Sequence, residues 1–436
     1  MTSLAKITWD AASARRAERQ FPAGPAAAGT AAGGGGAGGG ARRTGDGGGG
    51  TVDDGGGGAV DHGGGGTVDH GGGGTVAGIV AAMRGAHAQV LSAAEVSIGM
   101  RAAGGVTRAD VRSALWEERS LVKTYGPRGT VHLLPVHELP LWSAALTAVP
   151  TGPSPFRPDV RLTDEQAGQV VAAIGDALDG RCLTLDELTG EIVARTGPWA
   201  GDRVMPAFQE LWPRWRQVMH RAGWAGALCF GPNRGRKATY TRPAGEGAGP
   251  GAEAREARDG LFTFVGRYLH AYGPATPAHF ARWLAAPAGW AANLFREMAA
   301  AGAVEEVDFE GTPAWVAAGD TAFPEGPARG VRLLPYFDAY VVAGQPRERL
   351  FPGEAYRRAL AGGQAGNHPV LLVDGVVGGV WHQRRRGRRT TITVEPLVRL
   401  TARQRRELGE QAERVGEVLE ATAEWGLGKV EVGPHA

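Results

Sequence analysis

At 436 residues the chain is too long for one hydrophobic core and should divide into two to four domains. Lys and Arg number 47 against 45 Asp and Glu; because residues 24–77 carry five acids and two bases, the rest stands near +5, which permits nucleic-acid binding without demanding it. Cys182 and Cys229, far apart and without a CxxC, exclude a disulfide framework or cysteine zinc site. The start, MTSLAKITWDAASARRAERQF, has no apolar signal core and no run of about 18 apolar residues follows, so the chain reads as soluble and cytoplasmic.

Residues 1–23 form an N-terminal segment with one helix over about 9–20. Residues 24–77 are low-complexity, with four octads in line: GGGGTVDD, GGGGAVDH, GGGGTVDH and GGGGTVAG. So much glycine makes ordering costly in backbone entropy, and the segment reads as a flexible insertion. Its Asp61/His62 and Asp69/His70 pairs offer metal donors, although a solvated linker is the simpler reading.

From residue 78 the chain has the pattern of folded protein. Helical apolar spacing runs over 79–101, with a break at Gly85. Thr107 caps a helix through Trp116, with Asp110 in its first turn. LVKTYGPRGTVHLLP (121–135) is a hairpin, and a helix follows over about 136–148. Helices followed by a hairpin is the winged-helix order, here over 78–160. The order recurs over 161–254, with helices at 163–178, 184–196 and 208–223 and a basic-tipped hairpin at 227–240. A third copy over 255–330 has helices at 258–271, 276–284 and 288–302 and short strands near 304–307 and 315–316. Residues 331–436 change character: strands at 331–342, 369–381 and 390–400, a helix at 401–425 and a strand at 429–433, read as a small β-barrel with one helix. The fold class is α+β, three tandem winged-helix units followed by a C-terminal β-barrel domain.

Several stretches in order resemble the AlkZ-like family of bacterial DNA glycosylases. They are HAQ (87–89), PRGTVHLLP (127–135), GPN (231–233), GPATPAHFARWL (273–284), LLPYFDAY (333–340) and VLLVDGVVGGVW (370–381). The resemblance implies a concave DNA-facing surface, a monomer, and removal of N7-alkylated purines, including bulky natural-product adducts and crosslinks. The family's catalytic motif is usually Gln–aliphatic–Gln. Here it is His87-Ala88-Gln89, similar to a subgroup associated with bulky intercalating natural products.

The residues fit that chemistry. An N7-alkylated purine is cationic and leaves without an acid, through an oxocarbenium-like transition state. The enzyme must orient water and stabilise positive charge on the sugar. The Gln89 amide carbonyl can hold the water, and a neutral His87, near pKa 6.5 if unperturbed, can accept its proton. No metal or redox cofactor is required, and no Lys in the motif supports a lyase route. In mid-helix, positions i and i+2 face apart, so the pair converges only at a break such as Gly85 or in an extended piece.

Candidate DNA contacts are Arg128 at the first hairpin tip, Arg234, Arg236 and Lys237 at the second, and Arg384, Arg385, Arg386, Arg388 and Arg389 in the tip HQRRRGRR. Each residue also has a plainer reading. His87 and Gln89 can be exposed helix positions, Arg128 a turn-holding residue, and the last tip merely solvated. His132 reads as a core histidine, Trp381 as core, and Asp338 as either orienting a partner or making a buried hydrogen bond. The partner is double-stranded DNA bearing alkylated purines, with no membrane. A winged-helix transcription regulator and a non-catalytic alkylated-DNA-binding protein remain alternatives.

Overall fold

The structure, a computed structural model, describes residues 4–21, 74–150, 152, 154–206, 210–243 and 254–435. The glycine-rich insertion with its Asp/His pairs lies outside the described residues.

One order of elements occurs three times. The first unit has the helix Val76–Ala82, the strand Ala86–His87, the helices Leu91–Gly99 and Arg108–Trp116, and the hairpin Leu121–Tyr125/Val131–Pro135. The second has the helix Asp164–Leu178, the strand Leu183–Thr184, the helices Leu185–Thr196 and Met219–Trp224, and the hairpin Cys229–Arg234/Lys237–Thr241. The third has the helix Ala254–Tyr272, the bridge residue Ala275, the helices Pro277–Leu284 and Ala288–Ala300, and the hairpin Val304–Phe309/Thr312–Ala317. In each unit the short extended piece after the first helix pairs antiparallel with the hairpin's second strand: His87 with His132, Thr184 with Thr239, Ala275 with Trp315.

The apolar periodicity explains the packing. Ile79, Val80, Met83, Ile98, Val111, Leu115, Leu121 and Leu133 form the core of the first unit. Val170, Ile174, Leu188, Ile192, Trp215 and Leu228 form that of the second. Phe264, Tyr268, Phe280, Trp283, Phe295 and Met298 form that of the third, which also buries Trp142 from the helix Leu139–Thr147. Each fully buried aliphatic or aromatic chain of this kind contributes roughly 1.5–3 kcal/mol.

The structure departs from the sequence reading in several places. Among the described residues of the helix expected over 208–223, Leu211–Pro213 is a strand and Arg214–Val218 a 3-10 turn, and only the helix Met219–Trp224 remains. Pro213 lacks an N–H and biases its predecessor toward extended backbone. The N-terminal segment holds more than a helix: Lys6–Ile7 runs parallel to Val304–Phe309 and extends the third unit's sheet. The helix Trp9–Gln20 then drives buried Arg16 into the carbonyls of Gly273, Pro274 and Gln345 (3.3, 3.1 and 2.7 Å), and Arg19 pairs with Asp320 at 2.6 Å.

The remaining departures lie in the C-terminal region, where only Val331–Leu334 of the stretch 331–342 is strand and Ala339–Ala343 is helical, capped by Asp338. The region's strands Val331–Leu334, Val370–Val373, Val376–Arg386, Arg389–Pro396 and Thr422–Leu427 form one sheet in that order. The first and last are edges, so the described strands make an open sheet where a barrel is expected. The stretch 369–381 spans two strands, turned at Asp374 and Gly375 (φ 47° and 83°). The last helix is Ala402–Val418, not 401–425; Thr422–Leu427 instead pairs parallel with Arg389–Pro396, and 428–435 is irregular. Pairing to an open sheet edge overrides local helix propensity here. Among the described residues, no helix is long and apolar enough to cross a membrane.

Candidate active site

The first helix ends in a tight turn that aims the His-Ala-Gln motif. Arg84 and Gly85 both take positive φ (56° and 89°). The positive φ is what favours glycine at Gly85; a Cβ there would also stand 2.9 Å from Leu134 Cδ2, which would have to shift. Arg84 is pinned by a buried ion pair to Glu138 at 3.0 Å; Glu138 also accepts from Trp142 Nε1 and pairs with Arg267. Tyr272 Oη donates to Met83 O at 2.6 Å.

After the turn the backbone is extended. Ala88 N continues the ladder by donating to Val131 O at 2.7 Å. The strand ends at His87 and Gln89 lies in the bend that follows, so the two stand outside any helix and the helical objection to their i, i+2 spacing does not apply. They differ in depth: His87 is 8% exposed, whereas Gln89 is exposed.

The His87 ring lies between His132 and Phe337. Phe337 stacks on it with centroids 4.5 Å apart and planes 29° apart; His132 meets it edge-on at 5.1 Å. His132 is held by its own Nδ1, 2.9 Å from Thr130 O, and Gly126 leaves room for its ring. That contact requires a proton on Nδ1. The buried Nδ1 of His87 has no hydrogen-bond partner in the protein. A cavity of about 10 Å³ lies between His87, Arg128, His132, Tyr272, Trp283 and Phe337, roughly the room one water needs.

Burial lowers the His87 pKa to about 4, with Arg128 and His435 adding to the effect. The shift away from the ordinary value near 6.5 favours the neutral imidazole. His132 is held well below the ordinary histidine range by burial, then by His87 and Arg128. Both rings are neutral at pH 7.

Arg128 does not project freely from its tip. At φ 61° it reaches the third unit and donates from Nη1 to Trp283 O at 2.8 Å. It lines both the small cavity and a cleft of about 1100 Å³ reaching His220, Trp224 and Arg242. At the second hairpin, Arg234 bonds Glu187 (2.9 Å) and Cys182 O (2.7 Å), and Lys237 pairs with Asp186 at 3.1 Å. Arg236 is exposed and in no ion pair among the described residues. In the long hairpin, Arg384, Arg385, Arg386, Arg388 and Arg389 are all exposed; only Arg389 is ion-paired, with Glu424, among the described residues. Trp381 is core and donates from Nε1 to Leu334 O at 2.9 Å.

Asp338 makes a buried structural network. It accepts from Arg101 (2.7 and 2.8 Å), Ser97 Oγ (2.5 Å) and Tyr340 N (2.9 Å), which ties the helix Leu91–Gly99 to the segment that carries Phe337. The structure thus adds Phe337 and His435 to the site. Phe337 lies inside the LLPYFDAY stretch, yet nothing local marks it as the ring under His87. No signal near His435 points to residue 87.

A buried neutral imidazole, a neighbouring exposed carboxamide and an arginine-rich hairpin on repeated helix–hairpin units suit a nucleic-acid-directed enzyme. Residues 80–418 match the model of the family described as DNA glycosylase AlkZ-like, and the chain belongs to that family. It is 32% identical over 308 residues to the interstrand DNA cross-link repair glycosylase of Streptomyces sahachiroi, covering 70% of this chain and 81% of that protein. The solved structure of Streptomyces sahachiroi DNA glycosylase AlkZ superimposes with a TM-score of 0.63 at 28% identity, over 81% of this chain and 93% of that one.

Proposed function

We propose that this protein is a monofunctional DNA glycosylase. It hydrolyses the N-glycosidic bond of N7-alkylated purines in duplex DNA, with bulky natural-product adducts or crosslinks as substrates, in DNA repair and toxin self-resistance. It works as a monomer in the cytoplasm. Its three repeats are read as winged-helix units and its last sheet as the counterpart of the family's barrel. The observation that carries the reading is a buried, neutral His87 at the end of a strand, two residues before an exposed Gln89 in the following bend, in a chain of this family.

The alkylated base is already cationic, so it departs with its electron pair and leaves an oxocarbenium-like sugar. The Gln89 carbonyl holds water and turns its negative end toward that cation. His87 stays neutral and so does not repel the sugar. With a pKa of about 4 it matches the basicity of the carboxylates that glycosidases use to activate water. It takes the proton only as the water bonds to the sugar carbon. Arg384, Arg385, Arg386, Arg388, Arg389 and Arg236 contact backbone phosphate, while Arg128 braces the site.

The test is excision from a duplex carrying one N7-alkylguanine, read as alkali-labile strand cleavage with spontaneous depurination subtracted. A natural-product monoadduct and an interstrand crosslink run alongside. Cleavage by the wild type that Gln89→Ala abolishes without loss of DNA binding is the expected result. Tight binding with no excision of any substrate would leave a DNA-binding protein instead.

A further inference from the structure

Beside His87 lies an aromatic ledge built from two distant parts of the chain. Phe337 covers one face of His87. Tyr336 stands 6.4 Å from Phe337, and His435 stands 5.5 Å from Phe337 and 5.3 Å from Tyr336. Tyr336 and Phe337 are half-buried and His435 is exposed, so the ledge keeps ring surface open to solvent.

The ledge is held from both sides. Consecutive carbonyls of one loop fix it: Gly366 O accepts from Phe337 N and Asn367 O from His435 N, each at 2.8 Å. A Cβ on Gly366 would come within 3.0 Å of Phe337 Cα, so the loop lies directly against the phenylalanine backbone. Phe337 itself is held at φ 56°, a conformation bulky residues rarely take. The tail reaches the site as a strap. Val430 is buried, its N–H donates to Glu395 at 2.8 Å, and its carbonyl accepts from Arg358 at 2.7 Å. His435 lies outside the residues that match the family model.

We propose that Tyr336, Phe337 and His435 form the stacking surface for a flat aromatic ring of the lesion. That ring is either the damaged purine or a planar group attached to it. The inference rests on the glycosylase reading for its ligand. Its physical basis is that exposed rings next to the reacting bond stack on any flat π system. They also favour a cationic alkylated purine over a neutral base, because ring faces attract positive charge. A ring seated there lies against the face of the site that His87 and Phe337 share. The ledge therefore sets which lesion is accepted, while the motif performs the hydrolysis.

The experiment measures binding preference, the ratio of affinities for lesion and undamaged duplex, together with single-turnover excision. The two lesions are N7-methylguanine and an N7-guanine adduct carrying a planar polycyclic group. The variants are Tyr336→Ala, Tyr336→Phe, His435→Ala and the double alanine. Each alanine should lower the preference about tenfold, the scale of one stacked ring, with Tyr336→Phe near wild type and binding to undamaged duplex unchanged. Loss for both lesions identifies the purine as the stacked ring; loss for the polycyclic adduct alone identifies the attached group. An unchanged preference in the double variant, or a wild type that prefers neither lesion, overturns the ledge. His435→Ala alters an exposed residue near the chain end and keeps the test open if Tyr336 variants fold poorly. Wild type that prefers a lesion but excises neither would sink the glycosylase reading while leaving the ledge standing.

Discussion

The first and second units follow one plan and diverge at one position. In the second, the short strand runs straight into the next helix, and Thr184 caps it reciprocally with Glu187. The third unit does the same with Thr276 and His279. In the first, His87 occupies the place of Thr184 in the ladder. Ala88, Gln89 and Val90 then intervene, and the helix Leu91–Gly99 begins with no side-chain cap. A polar side chain that elsewhere satisfies helix N–H groups is replaced by two polar groups with no such duty. The first unit gives up capping stability, worth about 1 kcal/mol, at the place where the chemistry is assigned.

The largest expected effect separates chemistry in the first unit from capping in the second. Gln89→Ala should reduce single-turnover excision by about 100-fold or more, the range for a positioned polar group in catalysis, with the melting temperature within error of wild type. Thr184→Ala should do the reverse, costing about 1 kcal/mol in denaturant unfolding while excision persists. If both variants lose stability alike, Gln89 is a structural residue and the contrast between the units fails.

The next effect is on pH. An ordinary histidine would halve the rate near pH 6.5. With the His87 pKa lowered to about 4, excision should hold steady well below 6.5 and fall only toward pH 4. The linkage has the same sign. Below pH 6.5 an unfolded chain protonates both imidazoles, whereas folded His87 and His132 stay neutral. Stability contributed by their neutral forms is therefore complete above about 6.5 and is lost as pH falls below it, for His87 through the window down to about 4. Unfolding monitored at pH 7 and pH 5 should show this loss, reduced in His87→Ala. An acid limb at 6.5 would show that His87 is hydrated rather than buried.

The smallest effect contrasts the two basic hairpins. Replacing Arg384, Arg386 and Arg388 with alanine should flatten the salt dependence of duplex binding by about 0.9 in log–log slope for each phosphate no longer neutralised. Replacing Arg234 and Lys237, which already face Glu187 and Asp186, should change that slope less. Equal changes would place both hairpins on the DNA.

Local signals made much of this protein legible from its sequence. Thr107, Thr163, Thr184 and Thr276 all cap helices, because a short hydroxyl chain before an apolar-periodic run satisfies free N–H groups. The hairpins read at 121–135 and 227–240, the arginine-rich tip and the His-Ala-Gln motif were legible in the same way, through turn chemistry and charge. The family's ordered motifs were legible too.

The remainder depends on residues far apart in the chain, which come together only on folding. Burial and Arg128 set the proton affinity of His87, and no neighbour in sequence announces either. Phe337 and His435 reach it from more than two hundred residues away. The strand Lys6–Ile7 belongs to a sheet formed near residue 308, and Thr422–Leu427 became a strand because an open sheet edge was there to receive it. Local propensity is written in short windows. Dielectric environment, strand partners and ring contacts are properties of the packed whole.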